Sequence, residues 1–545
     1  MKRLLQLLPF ALMAVGCDDK PPPPPPPTPP QVFITVLESN VIGGQVRGRV
    51  NVSGCTSIAG LELLEQDNFL VNIGNPDGGT RTPVDFALSP GSFSHLYGQR
   101  GIATSLTLKA KVTCNDARTN NSQPVGVKFF PISSRVTSTT PGEQAVPDSF
   151  IAEGGIGGTQ VTFLGCALTS TGGTTLARVN ASGQLVGFAG AIPFDCNGST
   201  IITEKSQVTG TRWVLQPGVG VYSINQNLDI GRQRAGKAAR IGVGKNGSAV
   251  VWFDEEATMQ RVEKLDPLPG SSNEWAYQTG GIMNSTPIID EGANVVMFSQ
   301  WYDEIGTTKS QTLVFKLNYL TGALLNPYPG SQQPPVLYQQ MHSSDPIDVK
   351  IKPEGTFNAN GSLFTLPLMS NAGGVLSTTI VSCPTDGPLC GPGNMRWSSP
   401  TLPTRLAQVV PFSQGNILAA IGPYAVYFLN TQTGAVTNLG EVPLVPAGSN
   451  IVLDVQPGLD TDFYVLTGPN FGDNVPSYAN EIIAVDSPQA GELWRVEYGS
   501  GENYLNGMTI GIDEAKTVWM RVGTDLVKPL SNAEYRTARG PTRLP

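Results

Sequence analysis

Ile482-Ile-Ala-Val-Asp-Ser-Pro-Gln-Ala-Gly-Glu-Leu-Trp494 reads as an alternating strand, an acidic stop, a glycine turn and a return strand. The phrase recurs. Leu176-Ala-Arg-Val-Asn180 runs into Ala-Ser-Gly, and Val221-Tyr-Ser-Ile ends at Asn225. Leu313 to Asn318 is followed by Tyr-Leu-Thr-Gly, and Val426 to Asn430 by Thr-Gln-Thr-Gly. Weaker copies surround Asp266 and Leu366. The key positions 180, 225, 266, 318, 366, 430 and 486 are spaced by about 51 residues on average, close to the periods of repeat architectures. Several copies are preceded by two strands around a tight turn: Ile241 to Phe253, Pro287 to Phe298 and Met508 to Met520.

Repeats of this length with several strands each imply a β-propeller over 140–530. One four-stranded unit cannot bury both of its faces, whereas a ring of units buries them all and leaves only short edges. Turn-rich strands at this spacing also fit a second and third sandwich, but the recurring phrase argues for the ring. Counting the strands of 508–530 separately gives eight blades, and merging them gives seven. Closure is expected between 508–530 and strand material near 145–165. The phrase best preserved at Ile482 to Trp494 resembles the pyrroloquinoline-quinone-like repeat. That resemblance implies a quinoprotein-like propeller and invites a dehydrogenase reading. Such enzymes hold the cofactor against adjacent cysteines, which this chain lacks, so no cofactor is expected.

Residues 31–132 read as a separate small β domain. Val32 to Val36, Val46 to Val52, Leu61 to Leu64, Leu106 to Cys114 and Val125 to Phe130 are strands, and about seven in all suggest a two-sheet sandwich. Lys111-Val-Thr-Cys-Asn-Asp116, an Asn/Ser-rich turn and a final Val-rich strand resemble the end of bacterial Ig-like domains. The resemblance implies a Cys55–Cys114 bridge between sheets. The core tryptophan of antibody domains is missing, since the first tryptophan is Trp213. The expected fold class is therefore all-β, an Ig-like β-sandwich followed by a seven- or eight-bladed β-propeller, with a tail over 531–545.

The chain begins with Lys2 and Arg3, an apolar stretch from Leu4 to Val15 and the small residues before Cys17. That is the layout of a secretion signal over 1–16, too short to span a bilayer. Its ending resembles a bacterial lipobox, with Ala14 where Leu is usual, and implies lipidation of Cys17. Two or three acyl chains anchor stably where one does not. Asp18 and Asp19 resemble the inner-membrane retention signal of enteric bacteria, a rule that does not hold for every lineage. Pro21 to Pro30 holds nine prolines around Thr28. It forms an extended helix of roughly 30 Å at about 3.1 Å per residue, a stalk within the 17–30 segment rather than a ligand for proline-binding domains.

With Cys17 set aside, six cysteines remain: Cys55, Cys114, Cys166, Cys196, Cys383 and Cys390. They form three sequence-local pairs and read as disulfides of an exported chain. No CxxC occurs, and His95 and His342 lie far from any pair in sequence, which argues against zinc. Asp454, Asp460 and Asp462 are weak calcium candidates, otherwise a solvated turn. No other metal site is expected. Trp275, Tyr277, Trp301 and Tyr302 suit either packing between blades or an aromatic surface for sugars. Without its leader the chain carries 33 basic and 43 acidic residues, a poor match for nucleic acid. The expected partners are a membrane, reached through the lipid, and a protein or polysaccharide held by the propeller. A binding role in the cell envelope is expected, in scaffolding, adhesion or assembly. Propeller lipoproteins of the outer-membrane barrel-assembly machinery share fold and anchor with this reading. The alternative is an envelope polysaccharide hydrolase or lyase using carboxylates at the propeller mouth.

Overall fold

The structure is a computed structural model. It describes residues 27–529 apart from 75–82, 89–103, 137–149, 155–159, 169–172, 256–259, 304–309, 326–335, 342–354, 386–392, 403–407, 412–416, 444–449, 458–461, 470–480, 487–490, 498–508 and some gaps of three residues or fewer. Cys17 and the leader lie outside these residues, as do the tail 531–545, His95 and His342. The fold is all-β, with no helix among the described residues. Two compact units divide the chain: one of 1–37, 47–86 and 107–125, the other of the remaining residues.

In the first unit, Gln31–Val36, Val46–Ser53 and Val84–Leu88 form one sheet in that order. Asn68–Gly74, Ile58–Glu65 and Thr104–Cys114 pair in order, with Thr119–Asn121 added on the last. Alternation decides which side chains enter the core: Val32 and Ile34 are buried between exposed neighbours, as is Val50. Gly48 leaves the space that the Phe86 ring fills. The Arg118 guanidinium donates to the carbonyls of Thr28 (2.6 Å) and Gly54 (3.0 Å), and Asn120 Nδ2 donates to that of Pro30 (2.6 Å). The end of the proline run is thereby fastened to this unit.

The second unit holds eight successive sheets, named I to VIII here. Sheet I is a meander of Phe150–Glu153, Thr162–Leu168, Thr174–Asn180 and Leu185–Phe188. Sheet II comprises Ile201–Ile202, Arg212–Gln216, Gly220–Ile224 and Ile230–Ala235; sheet III comprises Ala238–Val243, Ala249–Phe253, Gln260–Leu265 and Trp275–Thr279. In sheet IV, Ile282–Met283 and Ile288–Asp290 both pair with Val295–Asp303, followed by Ser310–Asn318 and Val336–Met341. Sheet V has Thr356–Phe357, Leu363–Ala372, Val375–Pro384 and Trp397–Ser398. Sheet VI has Gln408–Pro411, Ile417–Ile421, Ala425–Asn430 and Val436–Pro443. Sheet VII has Asn450–Pro457, Asp462–Pro469, Glu481–Asp486 and Gly491–Glu497.

Sheet VIII breaks the pattern. Its order is Ile132–Val136, Asp525–Pro529, Val518–Val522, Thr509–Ile512, so its first strand comes from nearly 400 residues earlier in the sequence. The register sets Ser134 opposite Lys528 and Val136 opposite Leu526. The C-terminal strands therefore pair with Ile132–Val136, not with the 145–165 segment expected from sequence. Phe150–Glu153 is instead the first strand of sheet I, paired with Thr162–Gly165.

Neighbouring sheets share apolar cores, because the middle strands are buried on both faces: Arg212–Gln216, Gly220–Ile224 and Ala249–Phe253 have no exposed residue. Leu164 and Leu176 of sheet I pack with Val214 and Tyr222 of sheet II. Trp213 and Val221 of II meet Val251 and Phe253 of III, and Trp252 and Val262 of III meet Phe298 and Phe315 of IV. Met297 and Val314 of IV meet Phe364 and Val381 of V, and Ile380 of V meets Tyr427 of VI. Phe428 of VI lies 4.8 Å, centroid to centroid, from Phe463 of VII. Phe150 and Phe163 of sheet I pack with Trp519 and Leu526 of sheet VIII.

Candidate functional site

In a four-stranded meander, the turns after the first and third strands share one end. The repeated Asn of the sequence phrase builds the second of these turns. Asn318 Oδ1 accepts the backbone N–H groups of Leu320 and Thr321 (3.0 and 2.9 Å), while the Gly322 N–H donates to the Asn318 carbonyl (2.9 Å). Asn180, Asn225 and Asn430 do the same with their own turns. Glycine follows because the chain turns left-handed there: Gly183, Gly322 and Gly434 have φ of 81°, 68° and 70°. The copy placed at Leu366 falls inside a strand. In sheet V the corresponding asparagine is Asn358, in the turn after the first strand.

Two of these turns, those of Asn318 and Asn430, also receive a tryptophan from the preceding sheet, a partner that the sequence phrase does not reveal. Trp275 Nε1 of sheet III donates to the Tyr319 carbonyl of sheet IV at 2.8 Å, and a Cβ on Gly322 would sit 2.6 Å from the indole. Trp397 of sheet V donates to the Thr431 carbonyl of VI (2.7 Å) and lies against Gly434. Trp213 of sheet II donates to the Gly247 carbonyl of III at 2.8 Å.

The seam between sheets III and IV gathers the most chemistry. At this end Lys264, 2 % exposed, points its ammonium at the face of Tyr319, 4.1 Å from the ring centroid. Tyr319 Oη donates to Asn246 Oδ1 (3.1 Å), and the Asn246 N–H donates to Glu291 Oε1 (3.0 Å). Ser248 Oγ donates to Asp266 Oδ1 (2.5 Å), and Ser271 hydrogen-bonds the other Asp266 oxygen. Burial pushes the Lys264 pKa down, against the pull of Asp266, Glu291 and Glu274. Burial likewise raises the Tyr319 phenol. A cation closed under a ring in this way locks two sheets together. Across the II–III seam, Arg232 makes a bidentate pair with Glu274 (2.9 Å for both bonds), and Arg234 bonds Glu263 and Glu255. Between sheets I and II, Glu153 bridges Arg178 (2.9 Å) and Arg212 (2.7 Å).

Cys55 is bonded to Cys114, and Cys166 to Cys196. Cys55 sits in the turn after Val46–Ser53 and Cys114 ends its strand, opposite Ile58. Cys196 ties the segment before sheet II to the second strand of sheet I. Cys383, in the third strand of sheet V, is also disulfide-bonded, and Cys390 lies outside the described residues. Asp454 and Asp462 lie on adjacent strands of sheet VII, opposite Leu466 and Asp486 respectively; Asp460 lies outside the described residues. Among the described residues no group of three or more histidine, cysteine or acidic side chains could hold a metal ion. Trp301 is buried, and Trp275, Tyr277 and Tyr302 pack on the III–IV core, so these aromatics fill space between sheets.

No family model matches the sequence, and no curated protein does. Among solved structures, Hsv2 of Kluyveromyces lactis is 7% identical, with 67% of this chain and 94% of that one covered and a TM-score of 0.34. A eukaryotic initiation factor is 8% identical, with 73% and 86% covered and a TM-score of 0.35. The fibronectin(III)-like modules of CbhA from Clostridium thermocellum are 11% identical, with 37% and 91% covered and a TM-score of 0.14. Scores this low carry no argument about fold or activity.

Proposed function

We propose that the chain is a lipid-anchored protein of the bacterial cell envelope, in which an Ig-like sandwich carries an eight-bladed β-propeller that binds a protein or polysaccharide. The observation that carries this reading is the pairing of Ile132–Val136 with Asp525–Pro529, together with the packing of Phe150 and Phe163 on Trp519. A ring closed by strands from both ends of the repeat region needs such a sheet, and eight sheets in succession favour eight blades over seven. A rigid ring presents loop clusters at its two ends, and loops on a rigid scaffold bind partners without a catalytic set of residues. The two bridges support the exported address, because disulfides persist in oxidising compartments. The lipobox at Cys17 supplies the anchor, and the fastening of Thr28 and Pro30 by Arg118 and Asn120 makes the stalk stiff where it meets the sandwich.

The test combines address and binding. The full chain is expressed in a bacterium fed an alkyne fatty acid, and purified envelopes are then crosslinked. The wild type is expected to take up label and to recover the same protein or polysaccharide reproducibly, whereas Cys17→Ala takes up no label and leaves the membrane fraction. An unlabelled wild type refutes the anchor. An empty recovery, combined with release of reducing sugar from envelope polysaccharide, refutes the binding role in favour of a hydrolase.

A further inference from the structure

Sheet I ends on the strand Leu185–Phe188, which pairs with Thr174–Asn180 on one side and with no described residue on the other. Its three large side chains stand in solvent: Leu185, Val186 and Phe188 are 51 %, 52 % and 66 % exposed. The register explains how they gather. Phe188 lies opposite Ala177, Gly187 opposite Arg178 and Leu185 opposite Val179, with Val186 as the extra residue of a bulge. Ala177 and Val179 are two residues apart on one strand, so they share a face of the sheet, and so do the residues paired with them. The bulge therefore sets Leu185 and Phe188 on one face, where a regular strand would have put them on opposite faces. Gly187 takes the other face, where an added Cβ would lie 3.7 Å from Leu228 of sheet II.

Other outer strands send their side chains to the next sheet. Arg232 and Arg234 of sheet II bond Glu274 and Glu263 of III, Trp275 and Tyr277 of III pack on IV, and Trp397 of V donates to the Thr431 carbonyl of VI. Of these four strands, only that of sheet I leaves large apolar side chains in water. Half to two-thirds of three such side chains is on the order of 300 Å² of apolar surface, as large as the biggest patch on many monomers, and such patches are often functional.

Charge identifies the occupant. Val179 to Phe194 holds no charged residue, in a chain whose formal net charge is −8 at neutral pH. Two acidic copies repel one another over most of their surfaces and least at this neutral run. A charged partner finds no opposite charge within it. The patch is also self-complementary: across a two-fold axis Leu185 of one copy meets Phe188 of the other, and Phe188 meets Leu185.

We propose that the Leu185–Phe188 patch is a homotypic contact through which two copies of the chain associate about a two-fold axis. Two such patches bury less than the roughly 1,200 Å² of a stable complex, so the contact is weak in solution and takes effect where a membrane holds copies side by side. That second condition rests on the lipid anchor proposed above; the contact itself does not.

The test uses the purified chain, residues 18–545, with an N-terminal histidine tag. Sedimentation equilibrium between about 5 and 500 μM is expected to show a reversible dimer at the upper end of the range. The dimer should weaken tenfold or more in Phe188→Lys and in Val186→Lys, which set like charges across the two-fold, with melting temperatures within a few degrees of the wild type. On vesicles containing nickel-chelating lipid, a mixture of Leu185→Cys and Phe188→Cys chains treated with a short thiol crosslinker should yield a 185–188 link between copies. The tag holds the chain on the membrane whether or not Cys17 is lipidated, so failure of the anchor and failure of the contact are separate results. A monomer throughout the concentration range, with no 185–188 link on vesicles, overturns the proposal, as does a dimer undiminished in Phe188→Lys. A monomer whose patch crosslinks instead to a segment of another envelope protein overturns it as well, and leaves the general binding role standing.

Discussion

A single contact explains why the repeated phrase contains both an asparagine and a glycine. Asn318 satisfies the turn's own N–H groups, and Gly322 keeps clear the surface on which Trp275 of the preceding sheet lies. Trp275→Phe keeps most of the stacking and loses one hydrogen bond, so it should cost about 1 kcal/mol. Trp275→Ala should cost about 3–5 kcal/mol. Gly322→Ala should cost about 2–3 kcal/mol, combining the left-handed backbone with the clash against the indole. Urea midpoints of the three variants check the order; a silent Gly322→Ala would refute the contact. The asparagine and glycine were legible in the sequence because the turn is local. Their tryptophan was not, because it lies 44 residues away and meets the turn only once the sheets are stacked.

Among the elements, the strands were the most readable part. Alternation located Val46–Ser53 and Thr104–Cys114, and the tight-turn pairs located Ala238–Val243 with Ala249–Phe253. Asn68–Gly74 and Val84–Leu88 escaped notice because they flank a turn-rich stretch, and the first of them buries no residue fully. The Cys166–Cys196 bridge, spanning 30 residues, ties the connection between sheets I and II. Replacing both cysteines by alanine should cost about 3–4 kcal/mol by loop entropy and open the 189–200 segment to protease. Limited proteolysis with mass spectrometry reads this directly; an unchanged cleavage map would show that the core alone holds the segment. The phenols of buried Tyr222 and Tyr319 and half-buried Tyr302 are all pushed up by burial. Their contribution to stability is intact below the unfolded tyrosine value of about 10 and is lost as pH rises beyond it, because the unfolded chain ionises first. Lys264, depressed by burial, acts in the opposite direction, so Lys264→Met should steepen the alkaline loss. Melting temperatures between pH 9 and 12, with absorbance at 295 nm, test both signs; ionisation of these tyrosines at pH 10 in a still-folded chain would contradict them.

For the whole molecule, the sequence carried the all-β class and the periodic sheets, and its count left seven and eight open. Where the ends meet was misplaced. Ile132–Val136 is a short strand beside the presumed domain boundary at 132, and no local pattern distinguishes it from the close of the first domain. Its partner Asp525–Pro529 lies between it and Val518–Val522, so losing that strand exposes the edges of both and the core around Trp519 and Leu526. Deleting 525–545 should therefore lower the melting temperature by roughly 5–10 °C or more and expose apolar surface, well beyond the effect of deleting 531–545 alone. Dye binding and calorimetry on the two truncations separate these outcomes. The most direct measurement of the proposed closure is a crosslink. The register puts Ser134 opposite Lys528, and residues directly paired across an antiparallel ladder lie about 4.5–5.5 Å apart, Cα to Cα. With Ser134→Cys and Lys528→Cys introduced together, a short thiol crosslinker in native buffer should join the two peptides in most molecules, as read by mass spectrometry after digestion. Absence of the 134–528 peptide, with both thiols shown to be reactive, would contradict this pairing and with it the proposed propeller.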